Sequence, residues 1–289
     1  MNDGTLRLGT CSWKFPSWAG LVYSKPRGID YLAEYATQFD TVEIDQWFWS
    51  LFGDSKIGMP KEADVGRYRE AVPQRFRFTI KAPNSITLTH YYRQDRRNAG
   101  KPNPYFLSQG LLQDFLTRIE PLEELTTAVM FQFEYLNKKK MAGLEDFLER
   151  LGAFTSALPT GWHFAMETRN PQYLKPEYFD FLRARGLSAV FVQGYYLPPV
   201  FDLLEDYATE LPGPCIIRLM GPDRAEIEKQ TGKKWGSLVA PKDEELDRLA
   251  EIIPRITAGG TDVIVNVNNH YEGSAPKTVA RLRERLGTS

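Results

Sequence analysis

FDTVEID, residues 39–45, carries two chemistries on one short run: Thr41, Glu43 and Asp45 share one face and Val42 and Ile44 the other, because side chains in a strand alternate. Charged residues are rarely set among aliphatic ones unless something polar faces them. The pattern recurs along the chain. In FRFTIKA (76–82), Arg77, Thr79 and Lys81 oppose Phe76, Phe78 and Ile80, and in FAMETR (164–169), Glu167 and Arg169 oppose Phe164, Met166 and Thr168. IIRLM (216–220) sets Arg218 between Ile217 and Leu219, and VIVNVNNH (263–270) sets Asn266, Asn268 and His270 against Val263, Val265 and Val267. One side of a sheet is therefore lined with polar groups.

Eight such runs are expected as strands: 6–13, 39–45, 76–82, 127–134, 163–169, 188–195, 215–221 and 262–270. Between most of them, apolar residues spaced by three and four predict helices over 29–38, 107–120, 144–157, 176–185, 242–256 and 275–286. Strand and helix in alternation indicate a parallel sheet, and eight repeats favour a closed (β/α)8 TIM-barrel-like fold in a single domain, over a doubly wound open sheet. Helices run almost directly into the next strand, whereas the strand-to-helix segments 14–28, 46–61, 83–106 and 222–241 are long. In a barrel those segments crown the carboxyl ends of the strands, where active sites of this fold sit. Alternate strands fill alternate interior layers, so an ionic layer from Lys81, Glu167, Arg169 and Arg218 and a more amide-rich one from Glu43, Asp45, Gln132, Gln193, Asn266 and Asn268 are expected.

Composition narrows the class. The 289 residues carry a net charge of −1, without the basic excess of a general nucleic-acid binder. Two cysteines, Cys11 and Cys215, are too few for a disulfide framework. The start MNDGTLRLG has no secretory pattern and no apolar run approaches a membrane span, so a cytoplasmic location is expected.

The strand ends, TVEID at Thr41, FRFTIKAP closing on Lys81, ITLTH at Ile86, FQF at Phe131, METRN at Met166, IRLMG at Ile217 and VNNHYEGSAP at Val267, together resemble the YecE-like family, a domain of unknown function with a TIM-barrel-like fold. The resemblance spans nearly the whole chain in the family's order. It implies that a glutamate in a VEIN-like run, a lysine in a VK-like run, a glutamine in a QFP-like run, ExR, RLHG and NNH correspond to Glu43, Lys81, Gln132, Glu167 with Arg169, Arg218, and Asn268 to His270. Asp45, Gln46 and Trp47 depart from the family's Asn-Ser-Thr-like stretch, Asn170 and Pro171 from a histidine-containing run, and Met220 from the histidine of RLHG.

Two carboxylates across a barrel mouth, Glu43 and Glu167, suit an acid and a base if their surroundings push their pKa values apart. The competing expectation is a buried ionic network, with Glu43 on Lys81 and Glu167 on Arg169 or Arg218. Lys81, Arg169 and Arg218 form a cationic floor for a phosphate or carboxylate, while Gln132, Asn268, Asn269, His270, Trp13, Asp45 and His90 complete the set expected to line the substrate. Ser274 and Pro276 open the last helix, either as an ordinary cap or as a phosphate-binding N-terminus.

No cofactor is expected. The three histidines, 90, 163 and 270, lack zinc spacing, and a divalent Mg²⁺ or Mn²⁺ would have to use Glu43, Asp45, Glu167 and His270. Trp13, Trp18, Tyr23, Trp47, Phe48 and Trp49 crown the mouth, as stacking surfaces or as lid packing. GxSxG, P-loop and GxGxxG motifs are absent. The reading favoured is a cofactor-independent enzyme performing hydrolysis or isomerisation on a small polar, anionic, sugar-like partner. The alternative is a nucleic-acid or nucleotide binder using the basic aromatic loop 89–106, with His90, Arg93, Arg96, Arg97 and Lys101 beside Tyr91, Tyr92 and Tyr105.

Overall fold

Aliphatic and aromatic residues at every second position give each strand one face that must leave water, and the helices cover it. The computed structural model describes residues 3–52, 56–92 and 98–288. Its strands are β1 (Leu6–Cys11), β2 (Thr41–Ile44), β3 (Arg77–Lys81), β4 (Thr126–Gln132), β5 (Phe164–Glu167), β6 (Ser188–Gly194), β7 (Cys215–Gly221) and β8 (Val263–Val267). All pair in parallel with their sequence neighbours, and β8 returns to β1, closing the barrel. The expected fold class is the one observed.

The helices are α1 (Tyr31–Tyr35), α2 (Glu62–Glu70), α3 (Asn84–Thr87), α4 (Gln109–Ile119), α5 (Leu144–Thr155), α6 (Pro176–Ala184), α7 (Phe201–Tyr207), α8 (Arg224–Thr231), α9 (Asp243–Ala258) and α10 (Ala275–Leu286). Among the described residues, no helix is long and apolar enough to cross a membrane. Three of the long connections are less irregular than expected. A 3₁₀ turn at Pro16–Trp18 interrupts 14–28, α3 opens 83–106, and α8 occupies much of 222–241.

The outward faces of the strands, among them Val42, Ile44, Phe78, Ile80, Phe131, Ile217 and Val265, are sealed under the helices and form the main core. Full burial of one such side chain contributes about 1.5–3 kcal/mol. Inside the barrel lies a second, smaller apolar set: Cys11, Ala128, Met130, Ala165, Val190, Val192, Ile216 and Met220. The ionic residues occupy the lumen above and beside it.

Two joints set the site's shape. At the first, β1 meets β2 through only two residue pairs, Thr10 with Val42 and Cys11 with Glu43. The Tyr35 hydroxyl reinforces this short pairing, accepting from the Thr10 N–H at 3.0 Å and donating to the Thr41 carbonyl at 3.0 Å. Gly9 makes the approach sterically feasible, since a Cβ there would lie 2.1 Å from the Thr41 oxygen. At the second, the β6–β7 register slips between Gln193 and Gly194, and Gly194 (φ 130°) packs so close that a Cβ would sit 2.6 Å from the Gly221 nitrogen. A bulge of this kind re-aims the next side chain, and here it is followed by Tyr195 in the left-handed region at φ 57°. Gln193 itself turns outward with Phe191, accepting from the Val200 N–H and donating to Glu245 at 2.8 Å, which corrects its expected place in the lumen.

Candidate functional site

Lys81, Gln132 and Glu167 end their strands, and Trp13, Asp45, Arg169 and Asn268 follow just beyond theirs, so one end of the barrel collects the polar groups. At its centre, the Arg218 guanidinium on β7 grips Glu43 on β2 with two bonds, Nε to Oε2 at 2.7 Å and Nη2 to Oε1 at 2.8 Å. Its Nη1 donates to Glu167 Oε2 on β5 at 2.7 Å. Glu167 Oε1 in turn accepts from Arg169 Nε at 2.6 Å. The result is a chain across the lumen, Glu43–Arg218–Glu167–Arg169. Gln132 Oε1 lies across both guanidiniums, at 3.3 Å from Arg218 Nη1 and 3.4 Å from Arg169 Nη2.

Glu43, Arg218 and Glu167 are sealed, at 0%, 2% and 1% exposure, and Arg169 at the end of the chain is 9% exposed. Desolvation alone drives a carboxyl up, yet beside Arg169 and Arg218 the Glu167 carboxyl is brought down to about 2. Burial likewise works against the Arg218 charge, but Glu167 and Glu43 outweigh it and hold the guanidinium protonated.

The expected separation into an ionic and an amide layer is therefore corrected. Glu43 comes from an even strand, but a guanidinium long enough to span the lumen joins it to the odd-strand charges. The expected Glu43–Lys81 pairing is not formed either. Arginine's planar fork matches a carboxylate with two parallel bonds, which a lysine point charge does not. Lys81 is left with its Nζ 3.7 Å above the centroid of the Phe48 ring, with no ion-pair partner among the described residues. Burial lowers its pKa to about 8, and the Arg218 charge pushes the same way. Asp45 responds in the opposite direction: burial and the neighbouring Glu43 charge raise its carboxyl, against the opposing pull of the Lys81 and Arg218 charges. Ser12 holds a left-handed backbone at φ 70° directly after β1.

The remaining predicted residues lie elsewhere. His270 hydrogen-bonds Asn268 Oδ1 through Nδ1 at 2.6 Å and Glu228 through Nε2 at 3.1 Å, packed edge-on against Trp235, which fixes it to α8. Asn269 Oδ1 accepts the Ala275 N–H at 2.9 Å, ordering the entry to α10. That helix end is closed to a phosphate. Gly273 packs under Ser237 and Val239, and the Glu272 carboxylate accepts from the Lys242 N–H and the Thr278 hydroxyl. The expected Ser274 cap is absent too, its hydroxyl being buried without a partner among the described residues. Trp13 is buried against Tyr68 at 5.0 Å, and Trp47 stacks on that same ring at 5.7 Å, so both pack the loops.

His90 borders a side groove of about 530 Å³ with Tyr92, Glu134 and Lys140, where its Nδ1 meets the Thr89 hydroxyl at 2.9 Å. Arg93, Arg96 and Arg97, on which the oligonucleotide alternative rests, lie outside the described residues. Among the described residues no cluster of three His, Cys, Asp or Glu side chains is arranged to hold a metal ion; His270, bonded to Glu228, does not join Glu43, Asp45 and Glu167.

One contributor had no signal in the alternation. Tyr195, aimed by the β6 bulge, covers the Arg169 guanidinium at 4.3 Å. Its sign is the Gly-Tyr-Tyr stretch at 194–196, where a glycine precedes aromatics at a strand end. Around the same rim, Trp49 and Tyr196 are 60% and 59% exposed.

A closed, eight-stranded parallel barrel whose strand ends gather charged side chains into the carboxyl-end mouth belongs to the TIM-barrel class. Within that class the chain belongs to the family described as protein of unknown function DUF72, whose model matches residues 7–289. It is 27% identical to the UPF0759 protein YecE of Escherichia coli K12 over 167 residues, 57% of this chain and 49% of that protein. The matched region thus spans about half the length of the curated relatives. Among solved structures, a DUF72 protein of Enterococcus faecalis V583 superposes with a TM-score of 0.68 at 23% identity, covering 99% of this chain and 96% of the other. A DUF72 protein of Thermotoga maritima MSB8 gives 0.66 at 21%, covering 98% and 99%. The fold is shared along the whole chain, and the resemblance carried by the strand ends holds.

Proposed function

We propose that the barrel mouth is the active site of an enzyme that binds a small anionic, sugar-like molecule on Arg169 and Lys81. In this reading Asp45 and Lys81 move protons, and the chemistry is isomerisation or hydrolysis. Glu43 and Glu167, the first choice for acid and base from the sequence, act as fixed charges that orient guanidiniums. A carboxyl held near 2 by two arginines is a weak base and carries no proton to donate at neutral pH.

The observation that carries the reading is the asymmetry of the ion chain. Arg218 is fully engaged and sealed, whereas Arg169 meets its carboxylate through Nε and leaves Nη1 without a partner among the described residues. A guanidinium fixed on one edge and open on another is arranged for an oxyanion. Thermal denaturation against inorganic phosphate, sugar phosphates and sugar acids tests this. At 100 times its Kd a true ligand adds about 2.7 kcal/mol, and Arg169→Gln should remove the shift. Equal shifts in both proteins would refute the assignment.

A further inference from the structure

A lysine this deep in a barrel ordinarily has a counter-ion, because an unpaired buried charge is strongly unfavourable. Lys81 is 7% exposed. Both carboxylates of the central chain are taken by Arg218 and Arg169. Its Nζ rests on the Phe48 ring, and it is not among the buried polar atoms sealed from solvent without a partner. The side chain is therefore desolvated, without a paired carboxylate, and open to the mouth at its tip. That combination favours an amine that sheds its proton easily. Such lysines serve as nucleophiles toward carbonyl carbon.

The neighbours suit the same chemistry. Ile44 pairs with Ile80 across β2 and β3, so Asp45 follows at the height of Lys81, and each influences the other's charge. Arg169 supplies a fixed cation in the same mouth. Resting on the active-site reading above, we propose that Lys81 forms a Schiff base with a carbonyl compound bearing a carboxylate or phosphate, which Arg169 holds. The neutral amine donates its lone pair to the carbonyl carbon, the C=O π pair moves to oxygen, and that oxygen takes a proton from the Asp45 carboxyl, giving a carbinolamine. The nitrogen then gives up a proton to the Asp45 carboxylate, which returns one to the departing hydroxyl. The C–O bond breaks as the C=N bond forms, and one water leaves. No oxidant or reductant is needed. With a pKa of about 8, roughly a tenth of the amine is neutral at pH 7.

The test is trapping. The full chain is incubated with pyruvate or dihydroxyacetone phosphate and sodium borohydride, and the adduct is located by intact mass and peptide mapping. One reduced adduct at Lys81 is expected, absent from Lys81→Arg and from Lys81→Met, the second variant covering a failure of arginine to fit. Its rate should rise through pH 8. Arg169→Gln should slow trapping of both probes roughly tenfold or more, the worth of one charge-assisted contact. Pyruvate trapped in preference to the phosphate, or the reverse, identifies the anion.

Adducts on other lysines only, or equal labelling of Lys81→Arg, overturn the proposal. Lactate and glycerol 3-phosphate, which lack the carbonyl, separate the two levels of inference. Thermal shifts by either that depend on Arg169, without trapping at Lys81, overturn the Schiff base and leave the anion site standing. No shift and no trapping overturns both.

Discussion

Replacing Arg218 by methionine keeps most of the side-chain volume and removes the charge at the centre of the mouth. The substitution breaks three bonds of 2.7–2.8 Å to two carboxylates that are each 1% exposed or less. Glu167 keeps Arg169 at 2.6 Å, whereas Glu43 loses its only cation among the described ion pairs. Removing one partner of a buried pair costs about 3–5 kcal/mol, and the upper part of that range applies because Glu43 is left fully enclosed. Guanidinium chloride unfolding at pH 7 should show this loss as a lower midpoint with an unchanged slope.

The pH dependence supplies a signature of its own. In the wild type, Glu167 sits at about 2 against an ordinary value of 4.5, so the folded protein releases this proton more readily than the unfolded chain. Its contribution is fully present above pH 4.5 and is lost as pH falls toward 2. At about 1.4 kcal/mol per pH unit this amounts to roughly 3 kcal/mol. In Arg218→Met, Glu167 keeps only Arg169, so its carboxyl is held down less and stability should fall less steeply below pH 4.5 than in the wild type. A loss under about 1 kcal/mol with a pH profile parallel to the wild type would refute the reasoning, since it would mean that water reaches these carboxylates.

Gly9→Ala should destabilise by several kcal/mol, measured by the same unfolding, because the new methyl would meet the Thr41 carbonyl at 2.1 Å where β1 and β2 have only two residue pairs. Tyr195→Gly relieves a left-handed backbone worth about 1–2 kcal/mol but uncovers Arg169. It should leave stability within about 1 kcal/mol of the wild type, while weakening the anion-dependent thermal shift; an unaltered shift would remove Tyr195 from the site.

Alternation alone made the eight strands and their polar faces legible, since buried outer positions such as Val42, Phe78 and Val265 repeat every second residue. Helices with a broad apolar face were equally readable. α2, α7 and α8 were not, because each buries only one or two side chains in the structure, Val65, Phe201 with Leu204, and Ile227 respectively, and so carries little periodic signal. In the site, the residues of the ion chain were recognisable by type and position, and so were the arginine partners of Glu167, but the partner of Glu43 was not. Which carboxylate Arg218 meets depends on its reach across the lumen, and strand parity contains no information about side-chain length. Asn269 and His270 looked available because a loop's own hydrogen-bond needs are invisible until its path is known; the Ala275 N–H and Glu228 claim them.

The ion chain also bears on how the barrel forms in time. Glu43 and Arg218 stand 175 residues apart in sequence, so their contact is strongly non-local. Until β7 docks against the rest, Glu43 and Glu167 lack the guanidinium that joins them, and nothing rewards the early strands for bringing these two carboxylates close. The network therefore locks only once β7 is in place. Weakening it should accelerate unfolding far more than it slows folding, making these buried charges a brake on the opening of the finished barrel.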